Sequence, residues 1–194
     1  MDEHVHLGYP TGRTIADRQL VIGANARIRS GSIIYEGSRI ASDLTTGHNV
    51  VIREENQIGS YFTIWSNSVV DYGCRIGAGV KIHANCYVAQ FTTIEDDVFL
   101  APGVTIANDI HPGCEQSAVC MRGPTIKRGA QIGVNVTLLP FITIGERALI
   151  GSGAVVTKDV PPRSVIVGNP GRAMCTIDDL KCSTGLVDYP YRNK

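Results

Sequence analysis

From Ile22 onward an aliphatic side chain returns at every sixth residue. Counting in sixes gives Ile22, Ile28, Ile34, Ile40, Thr46, Ile52, Ile58, Ile64, Val70, Ile76, Ile82, Val88, Ile94, Leu100 and Ile106, and fourteen of the fifteen are aliphatic. The fourth residue after each is small or apolar, as at Ser32, Ser68, Cys74, Val80 and Cys86. The third is Gly, Asn or Asp at eleven of fourteen places, and these types enter the left-handed backbone region at least cost. The beat returns at Ile126, Ile132, Leu138, Ile144, Ile150 and Val156, with Gly129, Asn135, Gly153 and Asp159 in the turn place. A six-residue period suits neither a helix nor a long alternating strand; it suits a short strand followed by a sharp turn. Three such sides close a triangular coil, and coils stack at about 4.8 Å through strand pairing. The prediction is an all-β chain: a left-handed parallel β-helix of about six to seven coils over residues 22–172. This handedness departs from the usual right-handed crossover. Residues 1–21 and 173–194 are off the beat and read as an N-terminal cap and a C-terminal tail.

The beat fails once, because Ile106 and Ile126 stand twenty residues apart, not a multiple of six. A loop at about 107–125 is therefore inserted into the prism. A smooth solenoid has no pocket, and an inserted loop supplies a wall. Residues eighteen apart should lie above one another, which places Asn108 over Gln90, Tyr72 and Glu54 along one edge. Asp109 falls in a column with Phe91, Gly73 and Glu55. All are expected to face outward. Phe91 and Glu55 break the Gly/Asn/Asp preference on this edge, which marks it for function. His111 is the imidazole of the loop. His83 directly follows Ile82 and stacks with Trp65 and Ala101; it reads as a solvated or interface histidine, or as a second catalytic candidate.

Charge and composition narrow the classes. The 194 residues carry 18 basic and 18 acidic side chains, and zero net charge argues against general nucleic-acid or membrane-surface binding. No apolar run approaches a membrane span and the N-terminus is polar, so a soluble cytoplasmic protein is expected. The six cysteines form no CxxC pair and are expected as reduced thiols. Cys74 and Cys86 fall at inward small positions. Cys114 and Cys120 with His111 lack a fourth ligand for zinc, and no metal is expected.

The segment "IGSGAVVTKDVPPRSVIVGNPGR", Ile150 to Arg172, resembles the C-terminal end of the acyl-CoA-dependent hexapeptide-repeat acyltransferases. A second, "GVKIHANCYVAQFTTIEDDVFLAPGVTIANDIHP", Gly79 to Pro112, looks like the branch that N-acetylates amino groups on nucleotide-linked sugars. The resemblance implies an acetyl-CoA-dependent N-acetyltransferase acting on such a sugar, with a homotrimer whose active sites lie between neighbouring β-helices. An O-acetyltransferase using His111 or His83 as base is the alternative. A metal hydratase of the β-helical carbonic-anhydrase type, needing three converging histidines, or a non-catalytic scaffold, is a further one.

Acyl transfer requires a held acceptor, a destination for its proton and a donor for the oxyanion. His111 is the candidate base, though substrate contact and loop packing stay open for it. Asn108 would hold the acceptor or the thioester oxygen, and Asp109 would orient the histidine or bind the acceptor amine. Glu54, Tyr72 and Gln90 are the candidate substrate contacts. Gly133 and Gly151, one coil apart, would let a pantetheine arm approach the backbone, or would serve tight strand packing. Lys158, Arg163 and Arg172 stand where the resemblance places the coenzyme's phosphates.

Overall fold

The computed structural model describes residues 1–192 and is a left-handed β-solenoid with three flat sides. The first sheet runs from His6–Tyr9 through Ile33–Tyr35, Val51–Ile52, Val69–Val70, Tyr87–Val88, Thr105–Ile106 and Thr137–Leu138 to Val155–Val156. The second climbs from Val21–Ile22 to Thr143–Ile144, and the third from Thr45–Thr46 to Ser164–Val167. All of these pairs are parallel; only Arg172–Thr176 folds back antiparallel onto Ser164–Val167. Eight, seven and eight strands make about eight turns, more than the six to seven read from the beat. The surplus comes from the ends. His6–Tyr9 joins the first sheet against Ile33–Tyr35, because backbone pairing needs no hexad pattern in its side chains.

Register confirms the stacking count and sizes the insertion. Arg75 pairs with Gln57 below and Thr93 above, eighteen positions away on each side. Thr93 then pairs with Thr125, thirty-two positions on, fourteen more than a coil. Above the loop the spacing of eighteen returns, as in Thr125 with Thr143.

The counted aliphatics from Ile28 upward fill the prism, with Ile34, Ile52, Ile64, Val70, Ile82, Val88, Leu100, Ile126, Ile132, Leu138 and Ile144 fully buried. Each such side chain contributes about 1.5–3 kcal/mol of burial. The one polar member, Thr46, is also buried, and its hydroxyl accepts the Arg29 N–H at 2.9 Å. Cys74 and Cys86 point inward as expected.

All fourteen lower turn positions take positive φ, including Glu55 (58°), Tyr61 (59°) and Phe91 (59°). Rule-breaking is therefore not peculiar to the loop's corner: Tyr61 and Arg147 (56°) sit on the corner after the second sheet. Asp159, assigned to a turn, is not among the positive-φ residues; the next one, Arg163 (59°), stands on the following corner, three residues after Val160. Val160 bridges to Ile144 only sixteen residues below, and the Asp159 carboxylate instead accepts the Thr143 N–H at 2.7 Å.

The C-terminal segment folds on its own chain. Ile177 is buried, its N–H reaches the Arg163 carbonyl at 2.8 Å, and Asp178 grips the Arg163 guanidinium. The last two residues of the "DYPYRNK" stretch lie outside the described residues.

Candidate active site

The loop leaves from the corner that follows the first sheet, and that corner carries one connected set of polar side chains. Asn108 Nδ2 donates to Gln90 Oε1 at 2.7 Å, so the predicted column is a physical contact. Gln90 Nε2 donates to Asp71 Oδ2 at 2.7 Å, and the Tyr87 hydroxyl reaches the same oxygen at 2.8 Å. Asp71 Oδ1 accepts the Tyr72 N–H at 2.8 Å and faces Arg53 Nη1 at 3.3 Å. Arg53 also holds Glu54, at 3.1 Å and 3.0 Å. Arg13, from the N-terminal segment, closes the lower end: it reaches Glu54 at 3.2 Å and Glu55 at 2.9 Å, and lies 3.7 Å over the Tyr72 ring.

Glu54 does not face outward as its place in the repeat suggested. It has no exposed surface and is committed to two arginines, so it makes no substrate contact. Burial alone would raise its carboxyl pKa, but its own backbone N–H, Arg53 and Arg13 together hold it below the ordinary glutamate value. Tyr72 stays half-buried, its ring edge-on to Phe91 at 5.4 Å. Above Arg13, Tyr72, Gln90 and Asn108 form the accessible part of the edge.

The loop is pinned at its root and open at its tip. The Arg122 N–H returns to the Asn108 carbonyl at 2.8 Å, closing the excursion where it began. The Asp109 carboxylate accepts the His111 backbone N–H at 2.8 Å and also the Ser117 hydroxyl, at the start of the helical turn Ser117–Cys120. These two bonds, Ser117 first, hold its pKa below the ordinary carboxylate value. Asp109 therefore shapes the loop and does not orient the His111 ring. Among the described residues no group hydrogen-bonds that imidazole, and the residue is exposed, as are Cys114 and Cys120.

The other candidates lie on other edges. His83 follows the third sheet, between Trp65 (6.3 Å) and Phe99 (5.2 Å), and is not brought together with His111 within one chain. Gly133 and Gly151 crown its column, above Ala101. A Cβ on Gly133 would stand 2.7 Å from the Ile150 carbonyl oxygen and from the Ser152 nitrogen; on Gly151 it would meet Val167 Cγ1 at 2.9 Å. At Gly133 the obstruction is the backbone of the next coil, and at Gly151 it is the Val167 side chain. Lys158, Arg163 and Arg172 do not cluster: they follow the first sheet, follow the second, and sit in the third, respectively. Arg163 is bound to Asp178. Grooves of about 630 Å³ (Glu95, Lys127, Pro161) and about 700 Å³ (Arg27, Tyr61, Lys81) lie along the second and third sides and include no loop residue.

Arg13, Arg53, Asp71 and Tyr87 escaped the sequence reading. Arg53 and Asp71 were within reach of the same eighteen-residue count, one position before Glu54 and Tyr72. Arg13 was not, since nothing off the beat announces where it docks. Among the described residues no helix is long and apolar enough to cross a membrane, and no three His, Cys, Asp or Glu side chains are grouped to hold a metal.

The family model "Bacterial transferase hexapeptide (six repeats)" matches residues 57–90, 73–108 and 123–158, leaving out the loop between Asn108 and Gly123. The chain is 30% identical over 177 residues to the galactoside O-acetyltransferase of Escherichia coli (strain K12), covering 84% of this chain and 85% of that protein. It is 33% identical over 156 residues to the mitochondrial serine acetyltransferase 3 of Arabidopsis thaliana, covering 78% of this chain and 37% of that longer protein. Among solved structures, the polySia-specific acetyltransferase NeuO superposes with a TM-score of 0.63 at 20% identity, over 90% of this chain and 81% of the other, which is a likeness of fold.

Proposed function

The chain belongs to the hexapeptide-repeat acetyltransferases, and on that premise we propose that it transfers an acetyl group from acetyl-CoA to a sugar hydroxyl, with His111 as general base. The observation that carries this is the His111 imidazole, exposed on the one insertion and spared from every bond that holds the loop. Imidazole is the side chain that exchanges protons near neutral pH. It takes the hydroxyl proton as the oxygen attacks the thioester carbonyl carbon. The C–S bond then breaks, the acetyl ester forms, and the proton passes to the departing sulfur, releasing CoA as a thiol. Asn108 holds the acceptor at the loop root, and Tyr72 and Gln90 line its approach.

One chain supplies a wall and leaves the opposite side open, so the site is proposed to lie between chains of a homotrimer. There the His83 edge of a neighbour faces the loop. Above His83 that edge carries Ala101, Gly133 and Gly151, a column without bulky side chains along which an extended pantetheine arm fits. Lys158 and Arg172 remain the candidates for the coenzyme's phosphates.

N-acetylation of a nucleotide-linked amino sugar is the second reading, favoured by the resemblance of Gly79 to Pro112. An amine acceptor needs less of a base, so the two readings separate at His111. Acetyl-CoA is offered with methyl β-galactoside, sialic acid oligomers, serine and UDP-linked amino sugars, and CoA thiol release is followed. His111→Ala is expected to cost more than about a hundredfold in turnover on a hydroxyl acceptor. Near-full turnover in that variant overturns base catalysis, and failure to bind acetyl-CoA by calorimetry sinks both readings.

A further inference from the structure

Asp71 has no exposed route to substrate, being 5% accessible, yet it stands two hydrogen bonds from Asn108. Four donors surround it: the Tyr72 N–H and Arg53 on Oδ1, the Tyr87 hydroxyl and Gln90 Nε2 on Oδ2. A carboxylate has acceptor oxygens only, whereas an amide has one end that donates and one that accepts. Gln90 must therefore turn its NH2 toward Asp71, since the reverse would set oxygen against oxygen. Its Oε1 is then left for Asn108, which must answer with Nδ2. The chain of constraints ends at Asn108 Oδ1, for which no donor is found among the described residues. Burial, helped by the bond to Asp71, raises the Tyr87 phenol to about 12, so that hydroxyl stays a donor.

We infer that Asp71 is a positioning residue: acting through Gln90, it fixes the Asn108 amide so that a carbonyl oxygen, not an NH2, is presented at the root of the loop. This narrows the role of Asn108. Its Oδ1 is an acceptor for a hydrogen on the incoming hydroxyl or on the pantetheine amides, while one of its two Nδ2 hydrogens is committed to Gln90. The part concerning substrate rests on the reading of Asn108 as a substrate contact; the orientation itself does not.

Asp71→Asn tests it with almost no change of shape. Tyr72 N–H and Arg53 still require an oxygen on their side, so the new NH2 must face Gln90. Gln90 then turns over, and Asn108 turns over after it. Adding Gln90→Glu returns an acceptor-only group to the middle of the chain: the carboxylate introduced there accepts from the new amide and from Asn108 Nδ2. The double variant thus restores the original orientation with the same total charge.

Two readouts apply. The first is hydrogen exchange at the Asn108 side-chain amide in 15N-asparagine-labelled protein, with the signal identified by its loss in Asn108→Asp. The amide is expected to be protected in wild type, to lose about tenfold or more of that protection in Asp71→Asn, and to regain it in the double variant. An unchanged signal in Asp71→Asn, or a double variant that behaves like the single one, overturns the inference. Should Asp71→Asn fail to fold, Gln90→Met asks the same question, because the inference requires Asn108 to lose its protection there. The second is kcat/KM with acetyl-CoA and whichever acceptor of the panel above is acetylated. A fall of about tenfold in Asp71→Asn, recovered to within about threefold in the double variant, is expected. A merely structural Asp71 would leave the double variant as impaired as the single one. If the amide signal follows the scheme while turnover does not, the relay stands and the contact between Asn108 and substrate is what fails.

Discussion

Replacing Gly133 by alanine adds one methyl group at a place where the next coil leaves no room. The added Cβ would lie 2.7 Å from the Ile150 oxygen and the Ser152 nitrogen, both backbone atoms that no rotamer change can move aside. Gly133 is not among the positive-φ residues, so steric overlap alone sets the cost. To relieve it, the two coils must separate locally, which stretches the Gly133 N–H bond to Ile150 (2.8 Å) and the Gly153 N–H bond to Val134 (2.8 Å). Overpacking at about 1–3 kcal/mol, with two weakened hydrogen bonds at about 1 kcal/mol each in the limit of loss, gives about 1–5 kcal/mol. For a chain of this size that is a drop in Tm of about 2–20 °C. Thermal unfolding followed by circular dichroism at one fixed protein concentration measures it, since Tm shifts with concentration in an oligomer. Gly12→Ala is the matched control: nothing lies within 4 Å of its added Cβ, and a change within about 0.5 kcal/mol is expected. Gly151→Ala should fall between, because its Cβ meets the movable side chain of Val167. A Gly133→Ala protein that melts with wild type, or a Gly12→Ala protein that loses as much, refutes the reasoning. If Gly133→Ala also keeps its Tm while losing acetyl-CoA binding, the bare backbone serves the pantetheine arm and not the stack.

Glu54 should give the acid limb of stability a measurable slope. Its folded pKa is depressed, so its contribution is present above the ordinary glutamate value of about 4.3 and disappears as pH falls through the lower folded value. Urea midpoints from pH 7 to pH 3 should show Glu54→Gln less stable at pH 7 and flatter below about pH 4.3; parallel profiles would contradict this. Thiol labelling of the folded protein near pH 7 should begin at Cys182, whose pKa is lowered to about 6 by the Thr184 hydroxyl and neighbouring backbone N–H groups. Labelling should end at Cys74, raised to about 12 by burial. Mass mapping that finds Cys74 modified before Cys182 would refute that order.

The hexad beat made the fold legible because every sixth side chain must fill the same kind of space inside a triangular prism. Ile34, Ile52 and Val70 are interchangeable solutions to one steric problem, and Asn25, Asp43 and Asn49 to one backbone problem. The eighteen-residue count carried this into the site, placing Asn108 against Gln90, a contact the structure holds at 2.7 Å. It could also locate the loop, because an insertion shifts the phase of every later aliphatic.

The same count failed where side chains choose partners. Glu54 occupies an outward place, yet it is buried because Arg13 folds over it from a segment with no repeat to predict its path. Asp109 looked like the partner of the His111 ring and instead holds its backbone, because a loop shortened by a helical turn brings Ser117 and the His111 N–H to the carboxylate first. Arg163 looked free beside Lys158 and Arg172, but each stands on a different side of a prism that turns between them, and Asp178 returns from the tail to claim it. Periodicity is a property of neighbours along the chain, and it determined the solenoid, its eighteen-residue coil and the position of its inserted loop. Which polar groups meet depends on segments that leave the period and fold back, and only the tertiary structure decided that.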